Sequence, residues 1–254
     1  MFPEYCMPDA HDRSHTFYKP ALTALGLVLL SLLAAIAAPL GSRFGFWNFD
    51  AAVVILKAAA GGFIAGTVLS MYSAIATRPG SLRRGFFISL LGLVITVPTL
   101  SFLYFWQEAK NNFPPMVDIS TDPDKPPEFW AAPNSRVYDE VSGSAFQMEF
   151  YPDIEPLLVD IPPDRACELA LEVVRDKDWE IWEENCEARH IEATDRTFWF
   201  GFSDDVVIHI TATEDGGSRI DMRSASRFGS GSDGGTNARR IRGFFKALRR
   251  RLPH

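Results

Sequence analysis

Residues 195–210 read DRTFWFGFSDDVVIHI, and the reading of this stretch decides the architecture of the C-terminal half of the chain. Four of the five residues Phe198–Phe202 are aromatic, and two carboxylates, Asp204 and Asp205, follow at once. One reading is an aromatic binding site with acidic catalysts beside it. The other is the core of a small sheet meeting a turn. With the period of two of an extended strand, Phe198, Phe200 and Phe202 share one face and Trp199 takes the other. Three phenylalanines on one face are expected as core beneath covering helices. Ser203-Asp204-Asp205 is expected at a strand junction, where short acidic residues favour turns.

Working outward, the same periodicity yields the neighbouring elements. Leu157–Ile161 is expected as a short strand, and Pro162-Pro163-Asp164 opens a helix. Its apolar positions, Ala166, Leu169, Ala170, Val173 and Val174, form one stripe. WEIWEE (179–184) is a strand, a turn lies at 185–188, and His190 begins the next strand. VVIHITAT (206–213) places Val206, Ile208 and Ile210 on one face. Asp215-Gly216-Gly217 is a hairpin signal, and Arg219–Ala225 is the last strand. A final helix carries Ile241, Phe244, Phe245, Leu248 and Leu252 on one stripe, with arginines around it. The expected class is α+β, a two-layer β-α-β-β-β-β-α domain whose antiparallel sheet has helices on one face and an open polar face on the other.

The first half of the chain is of another kind. ALTALGLVLLSLLAAIAAPL (21–40) carries no charge over about 20 residues, the length a bilayer core requires. Residues 51–76 carry one charge, Lys57, near enough to the start to snorkel. GFFISLLGLVITVPTLSFLYFW (85–106) is uncharged and ends in aromatic residues suited to a membrane interface. Three transmembrane helices are therefore expected within 19–107, after a tail at 1–18. The loop between the second and third spans holds Arg78, Arg83 and Arg84, whereas Arg43 in the first loop is balanced by Asp50. This bias puts the second loop and the tail in the cytoplasm and everything after Trp106 outside. In a bacterium that means an inner-membrane protein with a periplasmic C-terminal domain. Ala35-Ile36-Ala37 offers a signal-peptidase site, but the run is long and the tail before it is mixed in charge. Ala58, Gly62 and Gly66 make a small-residue stripe, either for packing within the bundle or for a homo-oligomer. Membrane lipids are the one partner common to all readings.

A proline-rich stretch at 108–135 is expected as an extended linker before an exported domain at 136–254. Residues 113–236 hold 27 acidic against 10 basic residues, and 237–251 hold seven basic and none acidic. An acidic body disfavours nucleic-acid binding. Cys6, Cys167 and Cys186 lack metal or redox spacing. Cys186 falls in a turn and Cys167 near the apolar side of a helix, so an oxidising exterior could join them, or Cys167 is simply a small core residue.

Four pieces, DISTDPDKPPEFW (118–130), YPDIEPL (151–157), HIEATDRTFWFGFSDDVVIHI (190–210) and IDMRSASRFGSGSDGGTNARRIRGFF (220–245), together resemble the bacterial and plant "domain of unknown function 1499" family, over roughly 117–248. The resemblance implies a single such domain, often behind membrane spans or an export signal. It implies no activity and no catalytic residue. The final loop departs from the family pattern at Asp233-Gly234-Gly235, which is expected to loosen it.

For function, no nucleophile with an identifiable base and no G-x-S-x-G elbow is found. His190, His209 and Glu192 share the open face, yet nothing in the sequence puts the two strands side by side, so no metal and no cofactor is expected. Asp221, Arg223 and Arg227, followed by GSGSDGGTNARR with Asn237, resemble an anion cradle in outline but lack the phosphate-loop pattern. Trp182 and Trp199, if both on the open face, could form an aromatic platform, or the proline-rich stretch covers them. The candidate ligand-binding residues are therefore Trp182, Trp199, Asp221, Arg223, Arg227 and Asn237. The expected role is non-catalytic: an envelope protein binding a protein partner or lipid near the membrane. A ligand-binding sensor or lipid handler using the open face, and an enzyme of unrecognised type, are the alternatives.

Overall fold

The structure is a computed structural model that describes residues 17–253 apart from 82, 140–142, 228 and 230. The expected tail, 1–18, thus lies outside the described residues except for Phe17 and Tyr18. Residue contacts divide the chain into two units, 1–106 and 107–254.

The first unit is built on three helices, α1 (Lys19–Arg43), α2 (Phe49–Ala76) and α3 (Phe86–Asn111), each long and apolar enough to cross a membrane. Pro20 in the first turn suits the start of α1, where its missing N–H costs nothing. Asn48 caps α2, its side chain accepting from the Ala51 N–H at 2.9 Å. The small-residue stripe is used within the chain. A Cβ on Gly62 would strike Ser31 of α1, and one on Gly66 would strike Val28. Gly92 of α3 meets Ser70 of α2 in the same way. Of the two readings of the stripe, packing within the bundle is what Gly62 and Gly66 show, by close approach of α1 to α2, and Ala58 is exposed.

The second unit holds a six-stranded antiparallel sheet, ordered β1 (Asp118–Ser120), β6 (Ser218–Ser226), β5 (Ser203–Ala212), β4 (His190–Arg196) and β3 (Glu180–Asn185). The short β2 (Leu157–Val159) pairs with the other half of the β6 edge, so β1 and β2 share that edge end to end. Helices α5 (Pro163–Asp176) and α6 (Thr236–Arg249) cover one face, and a short α4 (Gly143–Phe150) precedes β2.

The covered face follows the periodic reading. Ala166, Leu169, Ala170, Val173 and Val174 of α5 and Ile241, Phe244, Phe245 and Leu248 of α6 are buried on Ile191, Ala193, Val206, Ile208, Ile210, Ile220 and Met222. Each of the large side chains stabilises the fold by roughly 1.5–3 kcal/mol. The α6 stripe thus packs on the sheet rather than on a membrane surface. Gly216, at φ +83°, closes the β5–β6 hairpin as its sequence signal predicts. A disulfide joins Cys167 of α5 to Cys186, just after β3, closing a loop across 19 residues.

Two expectations fail. The stretch read as a linker, 108–135, supplies β1, which pairs with Arg223–Ala225 from about a hundred residues away. The aromatic run is not a core strand. β4 ends at Arg196, and Thr197–Phe202 form the turn into β5. The Thr197 N–H donates to the Phe202 carbonyl, and the Gly201 N–H donates to the Thr197 carbonyl, both at 2.9 Å. Phe202 N–H also donates to the Thr197 hydroxyl, and Gly201 sits at φ +68°. Asp204 and Asp205, expected at a junction, lie buried within β5.

Candidate functional site

Strand register decides what the second sheet face carries. Pairing sets His190 opposite His209, Glu192 opposite Val207, Thr194 opposite Asp205, Val207 opposite Arg223 and His209 opposite Asp221. This layer is polar and charged, as parity predicts, but it is not open. Residues 121–138 run across it as a strap.

Glu192 anchors the strap. Its carboxylate accepts the backbone N–H groups of Trp130, Ala131 and Ala132 and a bond from His190 Nε2 at 2.7 Å, all within a fully buried site. Burial works to raise the Glu192 carboxyl, but His190 and the three backbone donors outweigh it and hold the group below its ordinary value. An ionised Glu192 requires His190 to donate from Nε2. The ring's Nδ1 is buried with no hydrogen-bond partner among the described residues, and the Trp130 indole stacks flat on the ring at 3.6 Å.

Further along, Asn134 donates to Asp205 at 3.0 Å, and Arg136 donates to the carbonyls of Ser226 and Gly229. The outer edge of β1 is closed by Gln147 of α4, whose amide bonds both the N–H and the carbonyl of Ser120 at 2.9 and 2.6 Å. A side chain thus stands in for the missing neighbouring strand. Tyr138 donates to the same amide, and burial pushes its phenol well above the usual range.

The six candidate residues are not brought into one site. Arg223 grips Asp118 with two bonds, at 3.0 and 2.8 Å, and donates to the carbonyls of Pro127 and Arg136. Its guanidinium lies over the rings of Phe129 and Tyr138. Arg227 grips Asp205 at 2.9 and 2.6 Å and bonds the Thr194 hydroxyl. Asp221 is engaged by Arg219, which also reaches Asp122. Trp182 donates its indole N–H to Thr194 at 2.8 Å and lies under Arg227. Asn237 is on the opposite, helix-covered face, bonded to Ser224, Ser226, Arg240 and the Val117 carbonyl.

The anion cradle is likewise not formed. The loop carboxylate Asp233 occupies the start of α6, accepting from the N–H groups of Gly235 and Asn237 at 2.7 and 2.6 Å. The helix N-terminus is therefore satisfied by the chain's own anion. Burial raises the Asp233 carboxyl despite these bonds. Arg240 of α6 lies buried between Asp195 and Asp204, at 2.8 and 2.6 Å, which explains how β5 tolerates a carboxylate on its apolar face.

His190 and His209 prove to be cross-strand neighbours, with ring centroids 6.1 Å apart. Burial and the neighbouring His190 hold His209 below its ordinary value. Among the described residues no group of three His, Cys, Asp or Glu side chains is placed to hold a metal.

Trp199 is not on the polar face. It sits in the β4–β5 turn, so the expected Trp182–Trp199 platform does not exist. The turn instead presents Phe198, Trp199 and Phe202 at 71%, 52% and 44% exposure. They are organised among themselves: Phe198 meets Trp199 edge-on, and Phe200 stacks on Phe202, each pair with centroids 5.3 Å apart.

Sequence reasoning missed Asp118, Gln147 and Arg240 as the residues that close the domain's polar groups. The one available signal was DISTDPDKPPEFW, where Asp118 and the prolines of the strap stand together.

The fold therefore defines an α+β domain, preceded by three apolar helices, whose charged sheet face is closed by its own chain. The chain belongs to a family of proteins of unknown function, DUF1499: the family model matches residues 118–248, from the first residue of β1 into α6. No curated protein matches the chain.

Proposed function

We propose that this is a membrane-anchored, non-catalytic protein of the cell envelope whose outer α+β domain binds a protein partner or lipid close to the membrane. The observation that carries this reading is the aromatic tip, Phe198, Trp199 and Phe202, held rigid by its turn and exposed while the charged groups of the sheet face are paired. Exposed, clustered aromatic residues mark binding surfaces far more often than they serve folding. A multi-pass anchor with the outer domain on the periplasmic side is supported by the three apolar helices and the arginines between α2 and α3. The Cys167–Cys186 disulfide also favours an oxidising compartment.

A second reading, a small ligand beneath the strap, is favoured by the buried Nδ1 of His190, which has no hydrogen-bond partner among the described residues.

Native mass spectrometry of the full-length protein, gently extracted from its own membrane, tests both. The first reading expects co-extracted polypeptides or lipids that are lost in a Phe198→Ala, Trp199→Ala double variant with an unchanged unfolding transition. An identical profile in the variant would overturn it. A small-molecule adduct that survives the double change and disappears with His190→Ala would favour the second.

A further inference from the structure

The register of the sheet places the aromatic tip and the chain's arrival from α3 at one end of the outer domain. Asp118, Ala225, Asp205 and Thr194 form one row across β1, β6, β5 and β4. From that row the sequence before Asp118 leaves in the same direction as the tip projects: the Val117 carbonyl accepts from Ser226, and Ser226 pairs with Asp204 one step nearer the tip. Phe113 continues this way and lies against the start of α6, its ring under Arg239 at 5.8 Å.

Lengths agree with this placement. Three strand spacings, about 14 Å, separate β1 from β4, and Thr197 lies about 10 Å along the strand from Thr194. Helix α3 ends at Asn111, so only residues 112–117 connect it to β1, a span of about 20 Å at most. A tip tethered by a connector this short to a helix that crosses a bilayer experiences an effective lipid concentration on the order of mM or more, so weak affinity suffices. Tryptophan and phenylalanine favour the headgroup level, where an apolar ring is buried and a polar edge stays wet. The residues flanking the tip are neutralised in pairs, Arg196 with Glu180 and Asp195 with Arg240, so no like-charge barrier to lipid stands beside it.

We propose that the β4–β5 tip, through Phe198, Trp199 and Phe202, docks into the headgroup layer of the bilayer that holds the chain's own three apolar helices. This deepens the binding reading above and rests on those helices crossing a membrane. Docking gives the outer domain a second, non-covalent attachment and sets which end of it faces lipid.

The test is site-directed spin labelling of the full-length protein in nanodiscs of phosphatidylcholine and phosphatidylglycerol. Cys6→Ser leaves a single added cysteine, since Cys167 and Cys186 are joined. Nitroxides are placed at Phe198→Cys, at Trp199→Cys and, as control, at Glu214→Cys in the β5–β6 turn at the far end of the sheet. Power saturation with oxygen and with nickel-EDDA reads depth. The proposal expects both tip labels to favour oxygen by several-fold over the control. Tip labels as accessible to nickel-EDDA as the control would overturn it. If that occurs while the Phe198→Ala, Trp199→Ala variant still loses co-extracted polypeptides, lipid is the wrong occupant and the broader binding reading stands.

Discussion

The two faces of the sheet are made by the same strands, with alternate residues buried on each, yet they are held by different physics. On one face Val206, Ile208, Ile210, Ile220 and Met222 meet two amphipathic helices, and the gain is apolar burial. On the other, His190, Glu192, Asp205, Asp221 and Arg223 meet a strap with little regular structure, and stability depends on every charge finding a partner. A truncated apolar side chain costs in proportion to the cavity it leaves, whereas a buried charge stripped of its partner costs the desolvation of an ion left uncompensated. The polar face is therefore the one whose integrity is all or none.

The comparison is broken hardest at the buried ions. Arg240→Ala, in the ion cluster beneath α6 on the helix-covered face, leaves Asp204 and Asp195 facing a vacated site and is expected to cost about 3–5 kcal/mol in urea unfolding. Replacing Arg223 and Asp118 together by Met and Leu is expected to cost much less than Arg223→Ala alone; equal losses would show that the ion pair, and not its stranding, sets the stability. On the apolar face, Phe244→Ala removes the ring that packs Trp179 and is also expected to cost about 3–5 kcal/mol.

Reduction of Cys167–Cys186 is expected to lower stability by about 3 kcal/mol, since the cross-link closes a loop of roughly 20 residues in the unfolded chain. Thermal unfolding with and without reductant checks this.

A smaller effect separates the faces by pH. Glu192 is held below its ordinary value, so its contribution is complete above about pH 4.3, the ordinary glutamate value, and is lost as pH falls through the lower folded value. Hydrogen exchange at 130–132 is expected to accelerate there, ahead of the α5 and α6 amides. Glu192→Gln, which keeps the shape but loses the charge, is expected to cost about 1–3 kcal/mol and to remove that acid sensitivity. At the tip, Trp199→Ala is expected to change stability by less than about 0.5 kcal/mol, because the ring is exposed.

These contrasts also explain what was legible in the sequence. The stripes of α5 and α6 could be read because a helix period of 3.6 repeats over four turns, and the three long apolar helices because composition alone carries them. The parity of β5 correctly sorted His209 from Ile208 and Ile210. The aromatic run misled because Phe198, Phe200 and Phe202 alternate like a strand, while the deciding features, a Thr197 hydroxyl closing the turn and Gly201 at positive φ, carry no periodicity. β1 is only three residues long, and its pairing with Arg223 spans about a hundred residues of sequence. Of the candidate site, parity was readable for Trp182, and Asp221, Arg223 and Arg227 were readable only as a polar group. Their partners were not, because a polar side chain's partner is fixed by tertiary position and leaves no local pattern.

Hydrogen exchange of the full-length protein in its own membrane, compared with the same protein in detergent, tests most directly whether binding falls on the tip and not on the sealed face. The expected result is added protection at 197–203 in the membrane and unchanged protection at 128–136. Altered exchange at 128–136 with no change at 197–203 would contradict it and return function to the face beneath the strap.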